Sequence, residues 1–222
     1  MAKQARAAVT RQQIVRAAAA MFDERGFHGA SFADILRDTG LSKGAVYFHF
    51  ASKIDLAGAI VAEQHRRSIA LVDAIAGTEV STLEQIVMLC HGIGRQMIED
   101  PVVRAGIRLT LELGSLDKPA GPYLDWITAC EAFGRRAVEE GDLDAHLDPS
   151  MLAHFVISAF TGVQLLSDVL AGRVDLEERI DQMWTLLLPG IMPTSRHDAI
   201  ETVRGARWSL PLGGDLLPVS AT

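Results

Sequence analysis

The chain has 222 residues, of which 49% are hydrophobic and 22% charged, a balance that excludes a disordered chain and leaves room for one large globular domain or two small ones. The net charge of −7 speaks against a nucleic-acid partner only until its distribution is read: residues 1–53 carry eight Lys or Arg and four acids, a surplus of +4, which leaves −11 for the rest. Such a division fits a phosphate-binding module joined to an acidic body, or ordinary scatter of surface charge. The two cysteines, Cys90 and Cys130, sit in no CxxC pair and near no histidine at ligand spacing, so reduced thiols are expected rather than a disulfide framework or a zinc site.

Residues 1–9 contain no apolar signal segment and read as a mobile basic arm. A helix is predicted from Thr10 to Arg25, with Ile14, Ala17, Ala18, Met21 and Phe22 at three- and four-residue intervals and Gly26 as its stop. Arg6 and Arg11 near its start are either solvated or in reach of a phosphate. Ser31 then caps a short helix from Phe32 to Asp38, which Thr39-Gly40 ends. Ser42 caps a second short helix that begins at Lys43-Gly44 and continues AVYFHF. Two short helices joined by a tight turn are the layout of a helix-turn-helix, whose second helix enters the DNA major groove. Within it Lys43 can reach a guanine edge or a phosphate, and Gly44 lets the backbone approach the DNA. Tyr47 and His49 offer a hydroxyl and an imidazole to phosphate oxygens, and Lys53 can neutralise another phosphate. Phe48 is open between core packing and a DNA-facing place.

A long helix follows from Ser52 to about Ile75, roughly 35 Å at about 1.5 Å per residue, with Gln64 midway and able to turn its amide inward. Ser81 and Glu84 form a capping-box pattern for a helix that ends before Pro101, and Pro101 starts another that reaches Leu113. After a Gly/Pro loop over 114–122, helices are predicted at Tyr123–Glu140, Ser150–Ala171 and Asp175–Leu188, with an acidic loop at 141–149 and Pro189-Gly190 closing the regular part. A short helix near Asp198–Arg204 and a loose tail complete the chain. The uncharged run from Pro149 to Ser167 holds His154, Ser158, Thr161, Gly162 and Gln164, which makes it a poor membrane span and a better buried helix. Being apolar nearly all round, that helix has one face for its own core and another for a partner subunit. The expectation is an all-α, cytoplasmic protein: a DNA-binding unit over 1–53, a helical body over 54–193, for which ligand binding and dimerisation are the leading reading, and a tail over 194–222.

Enzyme motifs are missing: the sequence holds no GxSxG, no HExxH and no GxGxxG after a strand. His91, His146 and His154 are isolated, and Glu139-Glu140 and Glu177-Glu178 read as solvated charges. No cofactor or metal is indicated. The body is then a small-molecule sensor that also dimerises, a dimerisation block alone, or an enzyme with a fused DNA module.

Thr39-Gly40, the Ser42-Lys43-Gly44 turn, Tyr47, Phe48-His49-Phe50 and Lys53 together resemble the signature of the TetR family of repressors. Further stretches resemble one subgroup, the γ-butyrolactone autoregulator receptors of streptomycetes: the N-terminal KQxRAxxTRxxI pattern, PVVRAGIRL at Pro101–Leu109, PYLDW at Pro122–Trp126 and Met183-Trp184 before a Pro-Gly helix end. This resemblance covers most of residues 3–193. It implies that Ser42, Lys43, Gly44, Tyr47, Phe48, His49 and Lys53 face operator DNA. It also implies that Trp126, with Gln64 and Thr161, lines a pocket for a γ-butyrolactone or butenolide. Periodicity alone would place Trp126 in the core. A homodimer on a pseudo-palindromic operator, released by that ligand and controlling antibiotic-biosynthesis or regulatory genes, is what the resemblance implies as function. The subgroup also includes relatives that respond to antibiotics instead.

Overall fold

A computed structural model describes residues 2–114 and 121–208, with the side chains of residues 2–6 left aside. The predicted tail beyond 208 and the middle of the loop over 114–122 lie outside the described residues. Within them the chain is helical, as expected: α1 (Ala2–Gly29), α2 (Phe32–Asp38), α3 (Lys43–His49), α4 (Lys53–Ala76), α5 (Thr82–Glu99), α6 (Pro101–Leu113), α7 (Gly121–Glu139), α8 (Pro149–Ala171), α9 (Leu176–Ile191), a 3-10 turn at Thr194–Ala199, and α10 (Ile200–Arg204). The packing separates two compact units, one of Met1–Ser68 with Gln96–Pro122 and one of Ile69–Arg95 with Tyr123–Thr222. This partition differs from a linear boundary at 53/54, because α6 returns to pack along α1.

In the first unit, residues 2–9 continue α1 instead of forming an arm: Ala-rich KQARAAV has helix propensity and nothing to break it. Gly26 is the break that the sequence predicts, at φ 69° and ψ 177°. The position suits glycine twice over, since a Cβ there would also stand 2.6 Å from the side chains of Arg108 and Glu112. Those two side chains belong to a clamp at one-turn intervals along α6. Arg104 Nε donates to the Asp23 carboxylate at 2.7 Å, Arg108 Nη1 to the Asp23 carbonyl at 2.7 Å, and the Phe27 N–H to Glu112 Oε2 at 2.6 Å. Beneath the clamp Ile14, Phe22, Ile35, Val46, Leu56, Ile60 and Leu109 share one buried core. The α2–turn–α3 segment folds as its caps dictate. Ser31 Oγ accepts from the Asp34 N–H at 3.1 Å, Ser42 Oγ from the Ala45 N–H at 3.2 Å, and Gly40 takes φ 64° in the turn.

In the second unit α5 opens on the expected capping box, formed reciprocally: the Ser81 N–H donates to Glu84 at 3.0 Å and the Glu84 N–H to Ser81 Oγ at 3.3 Å. Glu140 is exposed, as expected, but it also holds a specific place. Its carboxylate accepts from the Thr82 N–H at 3.0 Å and the Thr82 hydroxyl at 2.8 Å, tying the end of α7 to the start of α5. Helix α9 continues through Pro189 to Ile191. The hydrogen bond lost at Pro189 would have gone to the carbonyl of Thr185, an exposed residue. Trp184 is fully buried, as are Leu83, Ile180 and Leu188, and Leu152 is nearly so. Cys90 and Cys130 are also buried, and burial raises both thiols, Cys130 to about 12, so both stay protonated at neutral pH.

Helix α8 is buried along one face and open along the other. Leu152, Ala153, Val156, Gln164 and Ser167 face inward, while Met151, Phe155, Leu166, Val169 and Leu170 are exposed. Among the described residues it is the one helix whose length and apolar content suffice to cross a bilayer. Its outer face and that of α9 frame a groove of about 650 Å³ lined by Phe155, Val163, Leu166, Met183 and Leu187.

Candidate nucleic-acid interface and ligand site

Helix α3 is anchored through the side chains on its inner face and presents the rest outward. Val46 is fully buried and Phe50, just past its end, nearly so. Ser42, Lys43 and Gly44 are exposed, as are Tyr47 at 45% and Phe48 at 80%. Tyr47 is steadied by an edge contact with Phe32, ring centroids 5.4 Å apart, and the Lys43 ammonium lies 5.7 Å from its ring. His49 stands half-buried between Phe48 and Phe50. The exposure of Phe48 removes the core alternative for that residue. With no acid within α3, its outward surface is cationic, hydroxylic and aromatic, the chemistry that phosphates and base edges accept.

Lys53 has a different setting from the other six. Its ammonium donates to the Phe27 carbonyl at 2.7 Å and the Ala30 carbonyl at 3.0 Å, and lies 4.3 Å from the Phe27 ring. Its charge thus closes the carbonyl end of α1 and joins α4 to the turn before α2. Arg11, another candidate for phosphate contact, places its guanidinium 5.2 Å from the Phe50 ring.

The residues expected around a ligand fall in both units. In the second, α7 and α8 bring Trp126 and Thr161 to a common neighbour, Tyr123. The rings of Tyr123 and Trp126 meet edge to face at 4.9 Å, and the Tyr123 hydroxyl hydrogen-bonds with the Thr161 side chain. Burial raises the Tyr123 phenol above its ordinary value, and the bond to Thr161 partly offsets this. The Thr161 hydroxyl donates to the Ile157 carbonyl at 2.7 Å. The Trp126 indole N–H is buried and finds no acceptor among the described residues. An unmet buried donor costs about 1–3 kcal/mol, and this one lies beside the Tyr123 ring. Tyr123 escaped the sequence reading as a site residue; its position one turn before Trp126 was the available signal.

Gln64 lies in the first unit, fully buried on α4. Its amide nitrogen donates to Ser68 Oγ at 2.7 Å, while Oε1 has no donor among the described residues. Gly106 of α6 makes room for it, since a Cβ there would stand 2.3 Å from the Gln64 Cβ. That close approach, between residues 42 positions apart, has no counterpart in the local spacing of either helix.

Residues 14–60 match the family model for bacterial regulatory proteins of the tetR family, and residues 80–193 match that for a tetracyclin repressor-like C-terminal domain. The chain belongs to the TetR family. A curated relative, the A-factor receptor protein of Streptomyces griseus, is 38% identical over 191 residues, 86% of this chain and 67% of that protein. A solved γ-butyrolactone receptor, described as ArpA-like, is similar at 32% identity and a TM-score of 0.79, covering 90% of this chain and 96% of that one. Another solved relative, described as showing the molecular basis for control of antibiotic production by a bacterial hormone, is 38% identical with a TM-score of 0.75, covering 83% and 98%. TetR-family regulators bind operator DNA, act as dimers and take small-molecule ligands. The helix-turn-helix and the helical body of this TetR-family chain correspond to the two matched models.

Proposed function

We propose that the protein is a ligand-responsive repressor in the cytoplasm that binds a pseudo-palindromic operator as a homodimer and is released by a γ-butyrolactone or butenolide, so that antibiotic-biosynthesis genes are derepressed. The observation that carries the sensing part is the buried Trp126 indole N–H, without an acceptor among the described residues, beside Tyr123 and Thr161. A lactone supplies the carbonyl acceptor that this donor lacks, and its ring suits an aromatic wall. The similarity to a γ-butyrolactone receptor and to an A-factor receptor supports the same ligand class.

For the output part, Lys43, Tyr47, Phe48 and His49 reach the major groove from α3, and Ser42 and Gly44 border the DNA at its start. Two copies joined through the apolar outer faces of α8 and α9 would offer two such helices to half-sites about 34 Å apart. Ligand acts by binding more tightly to a conformer unsuited to the operator, so DNA and ligand weaken each other's binding.

The test is a gel shift on the promoter of the protein's own gene, with and without synthetic butyrolactones and butenolides. A shifted band that a member of the panel dissolves is the expected result. A band that only antibiotics dissolve makes the protein a relative with another effector, and the absence of any band overturns the repressor reading.

A further inference from the structure

The most exposed aromatic side chain in the first unit stands on the helix argued to enter DNA. Phe48 is 80% exposed on α3, with its ring in edge contact with His49 at 5.1 Å. One turn earlier, at the position that shares its face, is Gly44. The fold does not demand glycine there: Gly44 is not among the residues with positive φ, and a Cβ added to it would meet nothing within 4 Å among the described residues. Gly44 and Phe48 therefore form a shallow apolar notch, bordered by the polar ends of Lys43 and Tyr47.

A notch of this kind has one apolar counterpart in the major groove, the C5-methyl group of thymine. Adenine, guanine and cytosine show polar edges there, and only thymine adds a methyl. We propose that Phe48, with Gly44 clearing space beside it, reads a thymine methyl in each half-site and so helps to set operator sequence. The proposal rests on α3 being the recognition helix. Lys43 and Tyr47 supply the neighbouring polar contacts, while Phe48 contributes discrimination that hydrogen bonds to phosphate cannot.

The experiment first selects duplexes from a random pool with the purified full chain, then compares the selected duplex with versions carrying deoxyuridine for one thymine per half-site. Burial of one methyl is worth about a fourfold change in affinity, so paired replacement in both half-sites weakens the wild type by about an order of magnitude. At the thymine concerned, Phe48→Ala binds the two duplexes equally and Phe48→Leu retains part of the difference. Because Phe48 is exposed, melting temperature serves as the control and stays unchanged. If every uracil duplex binds wild type as tightly as the thymine duplex, or if Phe48→Ala discriminates as well as wild type, the methyl reading is overturned while DNA binding stands. Failure to enrich any duplex overturns the repressor reading and this inference with it.

Discussion

On α3 the side chains assigned to DNA point outward, with Phe48 80% and Tyr47 45% exposed; around α7 those assigned to the effector point inward, with the Trp126 N–H wholly covered. The first group takes little part in holding its unit together, because Val46 and Phe50 do the anchoring. The second is part of the packing that it serves: the Trp126 and Tyr123 rings touch, and Tyr123 is bonded to Thr161. An output surface can therefore vary without disturbing its fold, whereas a sensor residue answers for both binding and structure. Substitutions at the two ends should separate along that line.

Trp126→Ala should have the largest effect. Operator binding persists, but lactone no longer releases the DNA at any concentration that releases the wild type, which a gel shift reads directly. Normal release by this variant would put the effector elsewhere. The buried character of the second unit should also appear in its pH response. His91 is 3% exposed, with neither ring nitrogen bonded among the described residues. Burial, then the charge of Arg207, lowers its pKa from 6.5 to about 4, against the pull of Asp181. From pH 6.5 down to about 4 the unfolded chain takes up a proton that the folded chain refuses, so stability falls as pH drops through this window, by on the order of 3 kcal/mol. His91→Leu should flatten that loss in denaturant titrations at pH 7 and pH 4; an unchanged slope would assign the loss to other groups.

Lys43→Ala tests the outward group. It should weaken operator affinity by about 1–3 kcal/mol and leave the melting temperature alone. Unaltered affinity would sink the helix-turn-helix assignment for this residue. Glu140→Gln should give the smallest change, about 1 kcal/mol of stability, from its weakened hold on Thr82 at the start of α5. Burial raises the Glu140 pKa, but the Thr82 bonds and Arg136 outweigh it and hold the value below 4.5. Its contribution is thus complete above pH 4.5 and is lost as pH falls through the lower folded value, which thermal melts from pH 6 to 3 would follow.

Much of the helical layout was legible because its signals are local. Ser31, Ser42 and the Ser81–Glu84 box cap helices where the spacing predicts them, and Gly26 and Gly40 take the left-handed φ that a break or turn needs. The misses arise where contacts join distant residues. The bonds of Lys53 to the carbonyls of Phe27 and Ala30, 26 and 23 positions away, have no signal in the local spacing. Glu140 is solvated as read, but the bonds that Thr82, 58 positions away, donates to it have no local signal. Neither the Gly106–Gln64 approach nor the clamp of Arg104 and Arg108 on α1 leaves a periodic trace. In α8 apolar residues occur all round, so the sequence alone could not say which face is left open.

The reciprocity of the two sites is the central claim, and one linkage measurement tests it. Lactone affinity is followed by tryptophan fluorescence on the free protein and on the protein saturated with operator duplex. The account predicts that operator weakens lactone binding by the same factor by which lactone weakens operator binding. Equal lactone affinity with and without operator would contradict it.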